Sequence, residues 1–334
     1  MKPRVLCCAL SSDQGPHIEL LPAKGFECNV VDPSIDLWAA DNLRDCLQGY
    51  AAVIAGSEPY PANVIAGCPD LRVIARAGVG FDVVDLDACD RQGVVVTTTP
   101  GVNHHAVAEQ AIALLVSLAR DVVHRDRQVR EGIWERFSGP RIQGRTLGLV
   151  GLGRIGQAVA DRGIGLGMNV IASDPFVTSP GAKEMGVELV ELPELLSKSD
   201  YVSLHSPVNE QTFQMINDST IAQMKPGARL INTARGQLVD EPALIRALQS
   251  GHLGGAGLDV FDAEPLATDS PLVQLENVIL SGHIAGLDDE SHRDTYLMIV
   301  DTLVQLRAGK WPQEQIRNLD GETGWTWEQG GSGG

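Results

Sequence analysis

The chain has 334 residues, 43% hydrophobic but only 4% aromatic, with 36 glycines and a formal net charge of −17 at pH 7. That length accommodates two domains with proper cores, built mostly from Val, Leu, Ile and Ala. The negative balance argues against nucleic-acid backbones and anionic membranes as partners, and an anionic substrate needs a local cationic site rather than a global field. No secretory h-region opens the sequence and no apolar run approaches the roughly 18 residues of a membrane span, so a soluble cytoplasmic protein is expected. Six cysteines (Cys7, Cys8, Cys28, Cys46, Cys68 and Cys89) lie in the first 89 residues without a C-x-x-C pair, as reduced core fillers would.

Residues 1–99 alternate short apolar runs with helical spacing. Strands are expected at 5–10, 26–31, 51–56, 71–78 and 93–100, with helices near 41–48, 61–67 and 84–91. This is a small parallel-sheet domain of βα units, closed by the turn residues Thr99, Pro100 and Gly101. A long helix follows, apolar on most faces from Ala106 to Ala119, and is expected to be buried between two domains. His104 and His105 stand at its start and read as polar helix-start residues, since no partner has metal-ligand spacing. Further strands are expected at 147–150, 169–172, 201–205, 228–234, 255–261 and 277–285. Helices fall between them, notably Asp240 to Ser250 with Pro242 in its first turn. A last helix runs from about Asp288 to Arg307. The tail is Gly/Ser-rich, and its Trp325 and Trp327 are suited to docking on a domain surface.

The stretch from Thr146 to Asp174 organises the second domain. Gly151, Gly153 and Gly156 form G-x-G-x-x-G at the turn from a buried strand into a helix. Gly151 permits the tight turn, Gly153 lets the backbone approach a pyrophosphate, and Gly156 lets helix and strand pack closely. The helix N-terminus offers free N–H groups and partial positive charge to the phosphates. Asp174, ending the next strand, suits the two ribose hydroxyls and would repel a 2′-phosphate. No arginine follows immediately, so NAD is favoured over NADP.

Ligands of an open α/β sheet bind at the carboxyl ends of its strands. The reactive side chains falling there are His205, Arg235, Asp259, Glu264 and His283. Alone, each has a plain structural reading, as an ion pair or a strand-end polar group. Complementary groups gathered behind a nucleotide motif point instead to catalysis, with no metal required.

Five motifs in order, ARAGVGFDVVD, GLGRIG, NTARG, LDVFDAEP and GHIAG, closely resemble the D-isomer-specific 2-hydroxyacid dehydrogenases over about residues 50–307, nearest the phosphoglycerate dehydrogenase branch. The resemblance implies an α/β fold of two doubly wound parallel-sheet domains. A Rossmann NAD-binding domain (101–286) would be inserted into a discontinuous flavodoxin-like substrate-binding domain (1–100 and 287–334). It implies that His283 exchanges a proton with the substrate oxygen, that Glu264 orients the imidazole, and that Arg235 forks onto the substrate's carboxylate and carbonyl, roles the chemistry suits. The backbone amides at Val79 and Gly80 would hold the same carboxylate. Asp259 would face the nicotinamide end, and Arg154, Ile155, His205, Pro207, Thr233 and Ala234 would line the cofactor. A homodimer through the NAD domain is also implied, with the long helix after Gly101 contributing. One departure stands out: Gly282 occupies the place before the histidine where the family carries proline.

In the phosphoglycerate dehydrogenase branch a basic residue after the third strand is expected to hold a phosphate. Here that loop reads Gly56-Ser57-Glu58-Pro59-Tyr60, and Glu58 would repel a phosphate unless Arg76 or a partner subunit compensates. No regulatory domain is expected after residue 334. The expected substrate is therefore a 2-hydroxy or 2-keto acid of the hydroxypyruvate or glyoxylate type, with D-3-phosphoglycerate as the alternative. A rival of another class is a non-enzymatic NAD(H)-sensing corepressor on the same fold. It would need a peptide-binding cleft that nothing in residues 1–99 announces.

Overall fold

A computed structural model of the chain describes residues 2–9, 13–319 and 325–327. These form two compact units, one joining the residues up to Asn103 with those from Asp288 onward, the other His104–Leu287.

The first unit begins as a strict βα alternation: β1 (Arg4–Cys7), α1 (His17–Ala23), β2 (Glu27–Val30), α2 (Ala40–Cys46), β3 (Ala52–Ala55), α3 (Ala62–Ala66), β4 (Val73–Arg76), α4 (Leu86–Gln92) and β5 (Val95–Thr97). Its five strands are all parallel in the order β2-β1-β3-β4-β5, the flavodoxin-like doubly wound arrangement. Both faces are covered, which is why β3 is buried at every position. Cys7 packs on one face of the sheet and Cys8 on the other. All six cysteines are free thiols, and burial pushes the Cys7 and Cys89 thiols up to about 12.

The second unit runs α5 (His104–Arg120), α6 (Val122–Arg130), β6 (Thr146–Val150), α7 (Arg154–Gly165), β7 (Asn169–Ser173), α8 (Ser179–Glu184), β8 (Glu188–Leu189), α9 (Leu192–Lys198), β9 (Tyr201–Leu204), α10 (Asp218–Ile221), β10 (Ala228–Asn232), α11 (Glu241–Gln249), β11 (Leu253–Leu258) and β12 (Val278–Leu280). Its seven parallel strands lie in the order β12-β11-β10-β9-β6-β7-β8. This is the Rossmann order with one strand added at an edge, and it puts the topological switch point between β6 and β9. Ala108, Ala111, Leu114, Leu115 and Leu118 of α5 pack into this unit's own core with Leu147, Val159 and Ile231. The long helix is thus a layer of the nucleotide sheet. The chain then returns to the first unit in α12 (Asp289–Arg307), N-capped by Asp288, whose Tyr296, Ile299 and Leu303 seal the β1 face.

Trp325 and Trp327 dock on the first unit. Trp325 donates its indole N–H to Gly93 O at 3.0 Å and takes the Arg72 guanidinium over its ring, while Trp327 meets Phe26 edge-on. The tail after Trp327 lies outside the described residues. Among the described residues, no helix is long and apolar enough to cross a membrane.

Candidate active site

The G-x-G-x-x-G turn carries three glycines with three different constraints. Gly151 has φ +97°, and a Cβ there would lie 2.7 Å from His205 O, so the β6 turn fits against the end of β9 only without a side chain. At Gly156 a Cβ would run into the carbonyl of Gly151. A Cβ at Gly153, by contrast, would meet open space, and Gly153 N-caps α7 with no side chain covering the first amides, those of Arg154 and Ile155. Asp174 follows directly on β7 with its carboxylate fixed on both sides, accepting from Leu152 N at 2.7 Å and Phe176 N at 2.8 Å. Each oxygen keeps a lone pair for a further donor.

Two further polar atoms at these strand ends are buried without a partner, His205 Nδ1 and Thr233 Oγ1. Burial pushes the His205 imidazole down to about 4, so it is neutral at physiological pH, and its Nε2 meets Ser203 Oγ at 2.9 Å. Pro207 stands exposed beyond it, and Ala234 N is tied to Asn232 Oδ1. Open space above uncapped helix amides, an anchored acid and two unpartnered polar atoms fit a dinucleotide laid across the switch point.

Three loops beyond β10, β11 and β12 bring the catalytic candidates together. Asn232, the last residue of β10, donates from Nδ2 to Arg235 O at 2.8 Å and fixes the turn that presents Arg235. Gly236 lets that turn touch the next loop, for a Cβ there would overlap the Phe261 carbonyl. Phe261 N donates to Glu264 Oε1 at 3.0 Å, leaving Oε2 for His283 Nδ1 at 2.7 Å. Burial pushes the Glu264 carboxyl up. The hydrogen bond from His283, the charge on that ring, the Phe261 N–H and the nearby Arg235 guanidinium outweigh burial and hold it below the usual carboxylate range. An ionised Glu264 can only accept, so Nδ1 carries the proton and Nε2 is left facing away from it. The histidine side chain is 45% exposed, as a group that meets a substrate must be.

Asp259 sits completely buried, with both carboxylate oxygens engaged by residues 281–285. Its contacts in the chain are to the turn that bears His283. That role was not legible in the sequence, because its partners lie more than twenty residues away and three are backbone or hydroxyl groups. Asn232, Gly236 and Ser281 were likewise missed, although Asn232 and Gly236 open and close the NTARG motif.

Val79 and Gly80 lie in the first unit, just after β4, and Arg76 Nε donates to Gly80 O at 2.9 Å. Glu58 is turned inward: only 4% exposed, it accepts from Tyr60 Oη at 2.7 Å and Gly56 N at 2.9 Å. It braces its own loop instead of projecting from it, so repulsion of a phosphate by a projecting Glu58 is not what the fold provides. Among the described residues, no group of three His, Cys, Asp or Glu side chains could hold a metal ion.

Comparison with known proteins supplies the family. The family model for the D-isomer specific 2-hydroxyacid dehydrogenase NAD binding domain matches residues 112–285. The chain is 40% identical over 312 residues to a glyoxylate reductase of Korarchaeum cryptofilum, covering 89% of this chain and 93% of that protein. It is 41% identical over 273 residues to a D-3-phosphoglycerate dehydrogenase of Mycobacterium leprae, covering 81% of this chain but only 51% of that protein. Among solved structures, D-lactate dehydrogenase from Aquifex aeolicus complexed with NAD and lactic acid superposes with a TM-score of 0.82 at 29% identity, covering 96% of this chain and all of that one. The chain belongs to the D-isomer specific 2-hydroxyacid dehydrogenase family. It is an NAD-dependent oxidoreductase.

Proposed function

We propose that this enzyme reduces a small unphosphorylated 2-keto acid of the glyoxylate or hydroxypyruvate type to the D-2-hydroxy acid, using Arg235, Glu264 and His283. The observation that carries the reading is the 2.7 Å contact from His283 Nδ1 to an ionised Glu264, with Nε2 left for the substrate. Gly151, Gly153, Gly156, Arg154, Ile155, Asp174, His205, Pro207, Thr233 and Ala234 would hold the cofactor. NADH, when bound, supplies the hydride. Arg235 binds the substrate carboxylate and polarises the carbonyl toward its oxygen. As the C=O π pair moves onto that oxygen, the Nε2 proton of His283 transfers to it, leaving a neutral imidazole still bound to Glu264. Oxidation reverses each step. The second unit is the NAD-binding domain in this reading and the first the substrate-binding domain, with Val79 and Gly80 as its candidate substrate-binding residues.

Similarity supports an unphosphorylated acid. The glyoxylate reductase relative is 40% identical over 312 residues, covering 89% of this chain. We also infer a homodimer through the nucleotide unit, from the exposed apolar residues of the segment around α6.

The test is NADH oxidation by purified protein with glyoxylate, hydroxypyruvate, pyruvate and 3-phosphohydroxypyruvate, with Arg235→Ala alongside. The expected result is turnover of glyoxylate or hydroxypyruvate, reduced in the variant on the order of a hundredfold or more. Preference for the phosphorylated acid would replace this reading with serine-precursor synthesis.

A further inference from the structure

His283 sits in a left-handed backbone conformation, φ +56°, which residues with a β-carbon adopt rarely and only where surroundings enforce it. Gly282 precedes it, and a Cβ there would meet nothing within 4 Å, so the turn's own sequence supplies little stiffness. Glu264 holds the imidazole but not the backbone beneath it. The enforcing contacts come from elsewhere.

They converge on Asp259. Its backbone carbonyl accepts from His283 N at 2.7 Å. Its Oδ1 accepts from Ser281 Oγ at 2.6 Å and Ile284 N at 3.0 Å, and its Oδ2 from Ala285 N at 2.8 Å. Residues on both sides of His283 are thereby pinned to one buried side chain. Ser281 Oγ is itself fixed, because it accepts from Gln110 Nε2 of α5 at 3.1 Å. The donors all point one way, from amide to hydroxyl to carboxylate, so each bond polarises the next. The Ser281 hydroxyl, which could otherwise rotate, has its proton committed to Asp259 by the amide behind it.

We propose that Gln110 and Ser281 are positioning residues, a relay from α5 that acts through Asp259 to keep the His283 turn in its left-handed form. The inference rests on the reading of His283 as the proton donor. It makes α5 part of the catalytic apparatus, and it gives this chain, with its flexible Gly282, an external brace for the histidine.

The experiment is steady-state and single-turnover reduction of glyoxylate, or of hydroxypyruvate if that is turned over faster, by Ser281→Ala, Ser281→Thr, Gln110→Ala, His283→Ala and the Ser281→Ala/His283→Ala double variant. NADH affinity is measured for each by fluorescence. Ser281→Ala and Gln110→Ala are expected to lower kcat on the order of tenfold, with KM and NADH affinity changed less than about threefold. Ser281→Thr keeps the hydroxyl and restores kcat to within about twofold, and Ser281→Ala adds no further loss once His283 is gone. Wild-type kcat in Ser281→Ala, a loss that threonine does not rescue, or a loss that persists in the His283→Ala background would each overturn the relay. If His283→Ala itself kept full activity, the proton-donor reading would fall and the relay with it. A neutral Ser281→Ala beside an inactive His283→Ala would sink the relay alone.

Discussion

At the scale of single residues the pair proposed to do the chemistry is Glu264 and His283, and its geometry carries a pH dependence. Glu264 has its folded-state carboxyl held below the ordinary carboxylate range, so it is easier to ionise in the fold than in the unfolded chain. The pair's contribution to stability is therefore present above about pH 4.5 and is lost as pH falls through the lowered folded value. In the proposed reaction, reduction of the keto acid takes up a proton and oxidation of the hydroxy acid releases one, so the two directions should respond oppositely to pH. Glu264→Gln keeps the shape but removes the charge that favours the imidazolium, and should lower kcat roughly ten- to a hundredfold. The check is the pH profile of the chemical step in both directions. Identical profiles would show that His283 does not carry the proton.

At the scale of elements, legibility in the sequence followed burial. The strands at β1, β3, β4, β6, β9 and β10 lie under the apolar runs that announced them, because parallel strands covered on both faces must be apolar throughout. The last strand is shorter than its apolar run suggested, ending at Leu280, because Ser281 and its successors are drawn into the Asp259 turn. α6 left no trace in the sequence: it has no buried residue, so no apolar stripe marks its period. In the site, Arg235, Glu264 and His283 were readable from their places at strand ends and from the motifs around them. The clamp made by Asp259, Ser281 and Gln110 was not, since hydrogen bonds between distant segments leave no spacing to read. The docking of the two late tryptophans was suggested by their apolarity, but its partners, Gly93, Arg72 and Phe26, are defined only by the fold. Trp325→Ala removes a hydrogen bond to Gly93 O and the ring beneath Arg72, and should cost the first unit roughly 1–3 kcal/mol. Calorimetry should show a lower unfolding transition with NADH affinity unaltered, because the cofactor contacts belong to the other unit. An unshifted transition would mean that the segment merely rests on the surface.

At the scale of the molecule, the proposed homodimer rests on the segment from Val122 to Phe137. Val122, Val123, Val129, Ile133 and Phe137 are each at least 41% exposed and Trp134 is 80% exposed. A contiguous stretch of this kind on a soluble protein marks a surface that another protein covers. The long helix α5 was the expected contributor to a dimer, but its apolar residues are committed to the unit's own core, which shifts the expectation to α6 and the residues after it. Charge permits a second copy as the occupant. The segment carries Arg125, Arg127, Arg130 and Arg136 against Asp126, Glu131 and Glu135, a net of about +1 on a chain of net charge −17, and Arg130 is paired with Asp126. Two copies meeting here are spared the like-charge repulsion of the acidic remainder, while the apolar side chains supply the burial. Sedimentation of the purified enzyme should give a dimer, and Val129→Glu with Trp134→Glu should give a monomer that still binds NADH. A parent protein that is monomeric across a dilution series would refute this, whereas variants that remain dimeric would move the interface off this segment. If dimer loss also lowers kcat, the second copy contributes to catalysis. If kcat is unchanged, association serves only to cover the exposed face of this segment.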